Sequence, residues 1–181
     1  VQRRKLDLIA EQDAAFGRLA ADSGKIDGAI ANLETAFRMQ AEVPALADIS
    51  GEPEGIRRLY GADSKDEHQR YYATQAIRAR RMVEAGVRFI EITCPSFDGN
   101  NSPWDQHGML RVNHEKNARV TEQSVAALII DLKRRGLLDQ TIVLWAGEMG
   151  RTPHTPAISA TCGRDHHVNG FTLFLAGGGF K

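Results

Sequence analysis

The stretch "GRDHH", residues 163–167, sets an arginine, an aspartate and two adjacent histidines just ahead of the apolar run that starts at Phe171. Charged and imidazole side chains are costly to bury, so such a cluster is expected where these groups bind a ligand or each other. Two further motifs carry the same residue types, "WDQHG" at 104–108 and "GEMGRTP" at 147–153. Five of the six histidines, His107, His114, His154, His166 and His167, fall in this one span. Aspartate, glutamate and histidine together suit a divalent cation, because carboxylate oxygen and imidazole nitrogen replace its lost hydration. Asp105, His107, Glu148, Asp165, His166 and His167 are therefore the candidate metal ligands.

Asp105 and His107 share a side only if the backbone there is extended, since side chains on extended chain alternate with a period of two. The same period makes Asp165 and His167 the co-facial pair and turns His166 away, so that one of the adjacent histidines orients a ligand rather than binding. Arg151 and Arg164 add planar guanidinium forks suited to phosphate or sulfate oxygens. A metal beside such arginines points to an oxyanion substrate, with the metal acting on an ester oxygen or on a bound water. Each motif also has a structural reading. "WDQHG" can be an ordinary loop, Glu148 and Arg151 an ion pair fixing a loop, and "RDHH" a buried hydrogen-bonded network, each weighing less than the ligand role. Cys162 reads as a small buried thiol, and "AGGGF" as a tight turn without the Lys and Ser or Thr of a phosphate-binding loop.

The elements that must position these residues follow from periodicity. Residues 5–40 carry apolar positions at helical spacing, such as Ile30, Leu33 and Phe37, interrupted around "DSGKIDG", and predict a helical hairpin. A connecting segment with one short helix near 55–60 follows, and Asp66 caps a helix predicted to run to about Ala85, with Tyr72, Ala76 and Ala79 inward. "VRFIEIT" after Gly86 predicts a strand, and Pro95, Gly99, Asn100, Asn101 and Pro103 mark a loop. A long helix is expected over 113–135 with Val125, Leu128, Ile129 and Leu132 inward. "TIVLWAG" and "FTLFLAG" then predict two more strands, nearly apolar throughout as central parallel strands tend to be. Strand, long helix, strand reads as a right-handed βαβ unit, whose carboxyl-end loops would form the binding crevice.

The 181 residues suffice for one globular core, and equal counts of Lys+Arg and Asp+Glu, 23 each, give no net field that would draw nucleic acid or an acidic membrane. Two cysteines make no disulfide framework and no paired zinc spacing. No apolar run is long enough to span a bilayer.

Taken together, "RRMVEAGVRFIEIT", "WDQHG", "LIIDLKRRGLLDQTIVLWAGEMGRTP" and "GRDHHVNGFTLFLAGGG" resemble the bacterial domain of unknown function family 1501, related to the sulfatase and alkaline phosphatase superfamily. The resemblance spans about residues 55–181. It implies an α/β fold, a three-layer α/β/α sandwich with a mostly parallel sheet, incomplete here, with residues 1–54 as a helical N-terminal segment and 55–181 as the partial α/β domain. It also implies a metal-dependent hydrolase of phosphate or sulfate esters, or alternatively a non-catalytic anion- or glycan-binding module of the same fold. Asp105 and His107 are similar to the pair that binds one metal in that superfamily. Glu148 and Met149 stand where an Asp-His pair binds the other, and His166 or His167 would supply the last histidine. A thioether is a poor ligand for a hard ion, so a second metal would need Asp165 or its neighbouring histidine. Arg151 and Arg164 would contact the substrate. The implied cofactor is a divalent ion, zinc, calcium, magnesium or manganese, and the implied partner a small anionic ester or a sulfated or phosphorylated glycan. The nucleophile would precede residue 1, so the chain is expected to be a fragment, and complete relatives imply an extracytoplasmic location.

Overall fold

The computed structural model describes residues 2–17, 23–94 and 104–180. The expected loop at Pro95, Gly99, Asn100, Asn101 and Pro103 lies outside the described residues. The chain divides into two compact units, residues 1–47 and 48–181. The first is a pair of helices, α1 (Gln2–Gly17) and α2 (Ser23–Ala47), that pack on one another. Among the described residues no helix is long and apolar enough to cross a membrane.

The second unit is built on three helices, α3 (Glu54–Tyr60), α4 (Glu67–Glu84) and α5 (Leu110–Arg134). Asp66 starts α4 as its sequence position predicts, its carboxylate accepting the backbone N–H groups of His68 at 2.9 Å and Gln69 at 3.1 Å. At the other end Gly86 takes a left-handed φ of 83°, and Val87 N–H returns to the carbonyl of Met82. The core gathers Tyr60, Ala73, Ala76, Ile77 and Ala127, with Ile56, Leu59 and Leu128 against it.

The inward face of α5 is more polar than its apolar spacing predicts. Asn117, Thr121, Ser124 and Asp131 are buried on it beside Val120, Ala127 and Leu132, whereas Val125 and Ile129 are only half-buried. Small hydroxyl residues let α4 come close, and each polar group finds a partner: Thr121 Oγ1 donates to Asn117 O, and Ser124 Oγ to Tyr60 O. Asp131 accepts from Tyr60 Oη at 3.0 Å and from Arg135 Nε at 2.8 Å, and lies 3.2 Å from Arg80 Nε. Arg80 in turn bonds Glu52 and Glu84, and Arg81 bonds Glu52, so the ends of α4 and α5 are joined by a buried ion network.

The sheet expectation is corrected. The chain is mostly helical, and among the described residues its strands form two small antiparallel ribbons rather than one parallel sheet between helical layers. β1 (Ile142–Trp145) pairs with β4 (Phe174–Gly177), Ile142 opposite Gly177 and Trp145 opposite Phe174. β2 (Gly150–Arg151) pairs with β3 (His166–His167). Residues 87–93, expected as the first strand, are irregular, and Phe89 is 82% exposed. A β-branched run becomes a strand only where another backbone offers its N–H and C=O groups, and among the described residues none does. Central parallel strands are covered on both faces. Ile142 and Leu144 are instead 56% and 58% exposed, so this ribbon is not the middle of a sandwich.

Candidate metal centre

Three extended segments lie side by side in the second unit and bring the polar motifs together. Residues 106–110 are tied to 161–164 by an antiparallel bridge between Gly108 and Cys162 and by backbone hydrogen bonds from Met109 N to Thr161 O, Leu110 N to Cys162 O and Arg164 N to Gln106 O. On the opposite side β3 is held to β2, and Thr152 N–H donates to Asp165 O at 2.9 Å. Two glycines permit this closeness. A Cβ at Gly163 would lie 2.0 Å from the carbonyl carbon of His107, and one at Gly150 would lie 1.5 Å from Gly170 O. Between the first segment and α5, Met109 takes a positive φ of 53°, the one non-glycine residue to do so among those described.

The ligand types meet at one oxygen. Asp105 Oδ1 lies 3.0 Å from His107 Nε2, 3.1 Å from His166 Nε2 and 2.7 Å from Arg151 Nη2. Hydrogen bonds from His166 and then Arg151 hold the Asp105 carboxyl down at about 2, so it is ionised at neutral pH. His107 turns its other ring nitrogen, Nδ1, to Asp165 Oδ1 at 3.0 Å. Asp105, His107 and His166 thus offer ligand atoms that all lie within 4.8 Å of one another. The residue between the first two, Gln106, points the other way, is 5% exposed, and has Oε1 3.2 Å from Nδ1 of His114 on α5. Trp104 packs edge-on against both His114 and Trp145, bracing the same loop.

Of the remaining candidates, Arg151 holds Asp105, and its Nη1 is buried without a hydrogen-bond partner. Arg164 donates from Nη1 to Thr152 O. Glu148 is exposed on the bend between β1 and β2. His167 is exposed on β3 opposite Gly150, outside the three-ligand group. Sequence reasoning missed Gln106, His114 and Thr152 as supports. The alternation that puts Asp105 and His107 on one side already puts Gln106 on the other, so that signal was present; the His114 contact crosses from loop to helix and leaves no local trace.

A mostly helical chain that closes one aspartate and two histidines on crossing loops defines a protein with a candidate metal-binding centre. The chain belongs to the family described as Protein of unknown function (DUF1501), whose profile matches residues 1–181. No curated protein and no solved structure matches the chain. The hydrolase expectation is corrected with the fold: it required ligands on loops at the carboxyl ends of adjacent parallel strands, and the sheets here are small and antiparallel. The phosphate- or sulfate-ester hydrolase, its anionic ester or glycan partner, and the binding module of the same sandwich fall with it.

Proposed function

We propose that the chain is a divalent-metal-binding protein, with Asp105 Oδ1, His107 Nε2 and His166 Nε2 as the ligand atoms. The carrying observation is the 3.0 Å contact of His107 Nδ1 with Asp165. Metal-binding histidines almost always give their second N–H to a carboxylate, carbonyl or water, which fixes the tautomer and aims the ring. Asp165 is thereby a positioning residue, and Arg151 steadies the Asp105 carboxylate. Two imidazoles and one carboxylate favour borderline ions of the zinc or iron(II) type over calcium, which prefers six to eight oxygens. Family resemblance supports an extracytoplasmic location, which fractionation of native cells checks.

The test is metal content by mass spectrometry after reconstitution and gel filtration, on the chain and on His166→Ala. One ion per chain that the variant loses supports the reading. No retained ion from zinc, manganese or iron(II) would leave the cluster as the hydrogen-bonded network that Arg151, Asp105 and His166 already form.

A further inference from the structure

Resting on that metal-binding reading, we infer that Arg151 sets the affinity of the centre: its guanidinium stands on Asp105 in place of the ion and keeps metal binding weak and exchangeable. The placement is built into the fold. Arg151 and His166 are register partners on β2 and β3, and directly opposed residues of an antiparallel pair project from the same face. Both side chains reach one atom, Asp105 Oδ1, Arg151 through Nη2 at 2.7 Å and His166 through Nε2 at 3.1 Å. The strand pair that delivers a candidate ligand therefore delivers a competing cation with it. Arg151 also reaches Trp104 O, but only at 3.5 Å, the far limit of a hydrogen bond, which leaves Asp105 as its anchor.

Charge fixes the direction of the effect. Histidines bind a metal in their neutral form, so among the three candidate ligands only Asp105 brings a negative charge. A guanidinium stays protonated throughout the pH range of a folded protein and cannot itself ligate. The Asp105–Arg151 pair thus carries no net charge, and a divalent ion that takes Oδ1 meets a carboxylate already neutralised, with a like charge beside it. The two side chains are 31% and 23% exposed, so solvent screens that repulsion in part. Even at the dielectric constant of water, a unit charge a few ångströms from a divalent ion is enough to weaken its binding about tenfold. The same contact holds the Asp105 and His166 side chains together before any ion arrives, so the centre gains order at the expense of affinity.

Zinc affinity is measured by competition with a chromogenic chelator on the full chain, on Arg151→Gln and on Arg151→Lys, with circular dichroism confirming that each variant is folded. The expected result is binding about tenfold tighter in the Gln variant. The Lys variant keeps the charge and should stay close to the parent chain. A parent chain that holds no measurable zinc beside a Gln variant that does would support the inference equally. Binding by the Gln variant that is equal to the parent's or weaker overturns it: Arg151 would then only steady the carboxylate, and metal binding would stand. Tightening as large in the Lys variant overturns it too, because charge would not be the cause. No zinc bound by any of the three removes both this inference and the metal-binding reading.

Discussion

His166 Nε2 lies 3.1 Å from Asp105 Oδ1, across 61 residues of sequence. The contact needs two separate chain crossings, one at Gly163 against His107 and one at Gly150 against Gly170. The candidate centre is thus a product of backbone closeness as much as of ligand chemistry, and changes that act on either should be separable.

Asp165→Asn addresses the chemistry alone. The amide keeps the size of the side chain and removes the charge that fixes the His107 tautomer. Loss of such a partner typically lowers metal affinity about 10- to 100-fold. The expected outcome is a weakening of that order in a chelator competition, with the thermal midpoint unchanged. An affinity equal to that of the parent chain would remove Asp165 from the site.

Gly163→Ala addresses the crossing. The new Cβ would sit 2.0 Å from a backbone carbon of His107, and backbone cannot swing aside as a flexible side chain can. Overpacking of this kind costs about 1–3 kcal/mol, and here it also pushes the 105–107 segment from 165–166. Gly147→Ala is the control, because its nearest neighbour would stand at an ordinary 3.6 Å. Thermal denaturation should separate the two variants clearly, and metal retention should fall only in the first. Equal midpoints would mean the crossing gives way more easily than backbone against backbone should.

The helices were legible where a local signal fixes them. Asp66 before α4 and Gly86 after it mark both ends, because capping is a matter of a few neighbouring residues. Two of the three expected strands form, at 142–145 and 174–177, but their pairing was not legible, since pairing partners are remote in sequence. Residues 87–93 have the composition of a strand and no partner among the described residues, while Ile142 finds Gly177 in antiparallel register. The same division runs through the site. Residue type singled out Asp105, His107 and His166, and alternation put the first two on one side. Alternation also grouped Asp165 with His167, whereas Asp165 reaches His107 and His166 reaches Asp105. Which member of an Asp-His-His run meets which distant group is set by the crossing segments, and no spacing encodes it.

Tyr60→Phe tests the buried polar face of α5. Tyr60 is fully buried, and its hydroxyl donates to Asp131 Oδ2 at 3.0 Å. Burial, the Asp131 charge and that hydrogen bond all push the phenol well above its usual range, so it remains a donor at any pH the protein survives. Removing the hydroxyl leaves a buried carboxylate one donor short, at a cost of about 1–3 kcal/mol. Chemical denaturation should show a loss of that size with metal affinity untouched. No loss would mean that Arg80 and Arg135 satisfy Asp131 by themselves.

Glu52→Gln gives the network a pH signature. Glu52 and Arg80 are 4% and 3% exposed, and removing one member of a buried pair costs about 3–5 kcal/mol at neutral pH. Burial alone would raise the Glu52 carboxyl, but hydrogen bonds from Arg81 and Arg80 outweigh it and hold the group below its ordinary 4.5. The folded chain therefore takes up this proton less readily than the unfolded chain. The stabilisation is complete above the ordinary value and is lost as pH falls through the lower folded value. Stability of the parent chain should accordingly drop through that acid window. The Gln variant should start lower at neutral pH and fall less steeply, so that the two curves draw together in acid. Parallel curves from neutral pH to acid would show that another carboxylate carries the acid sensitivity.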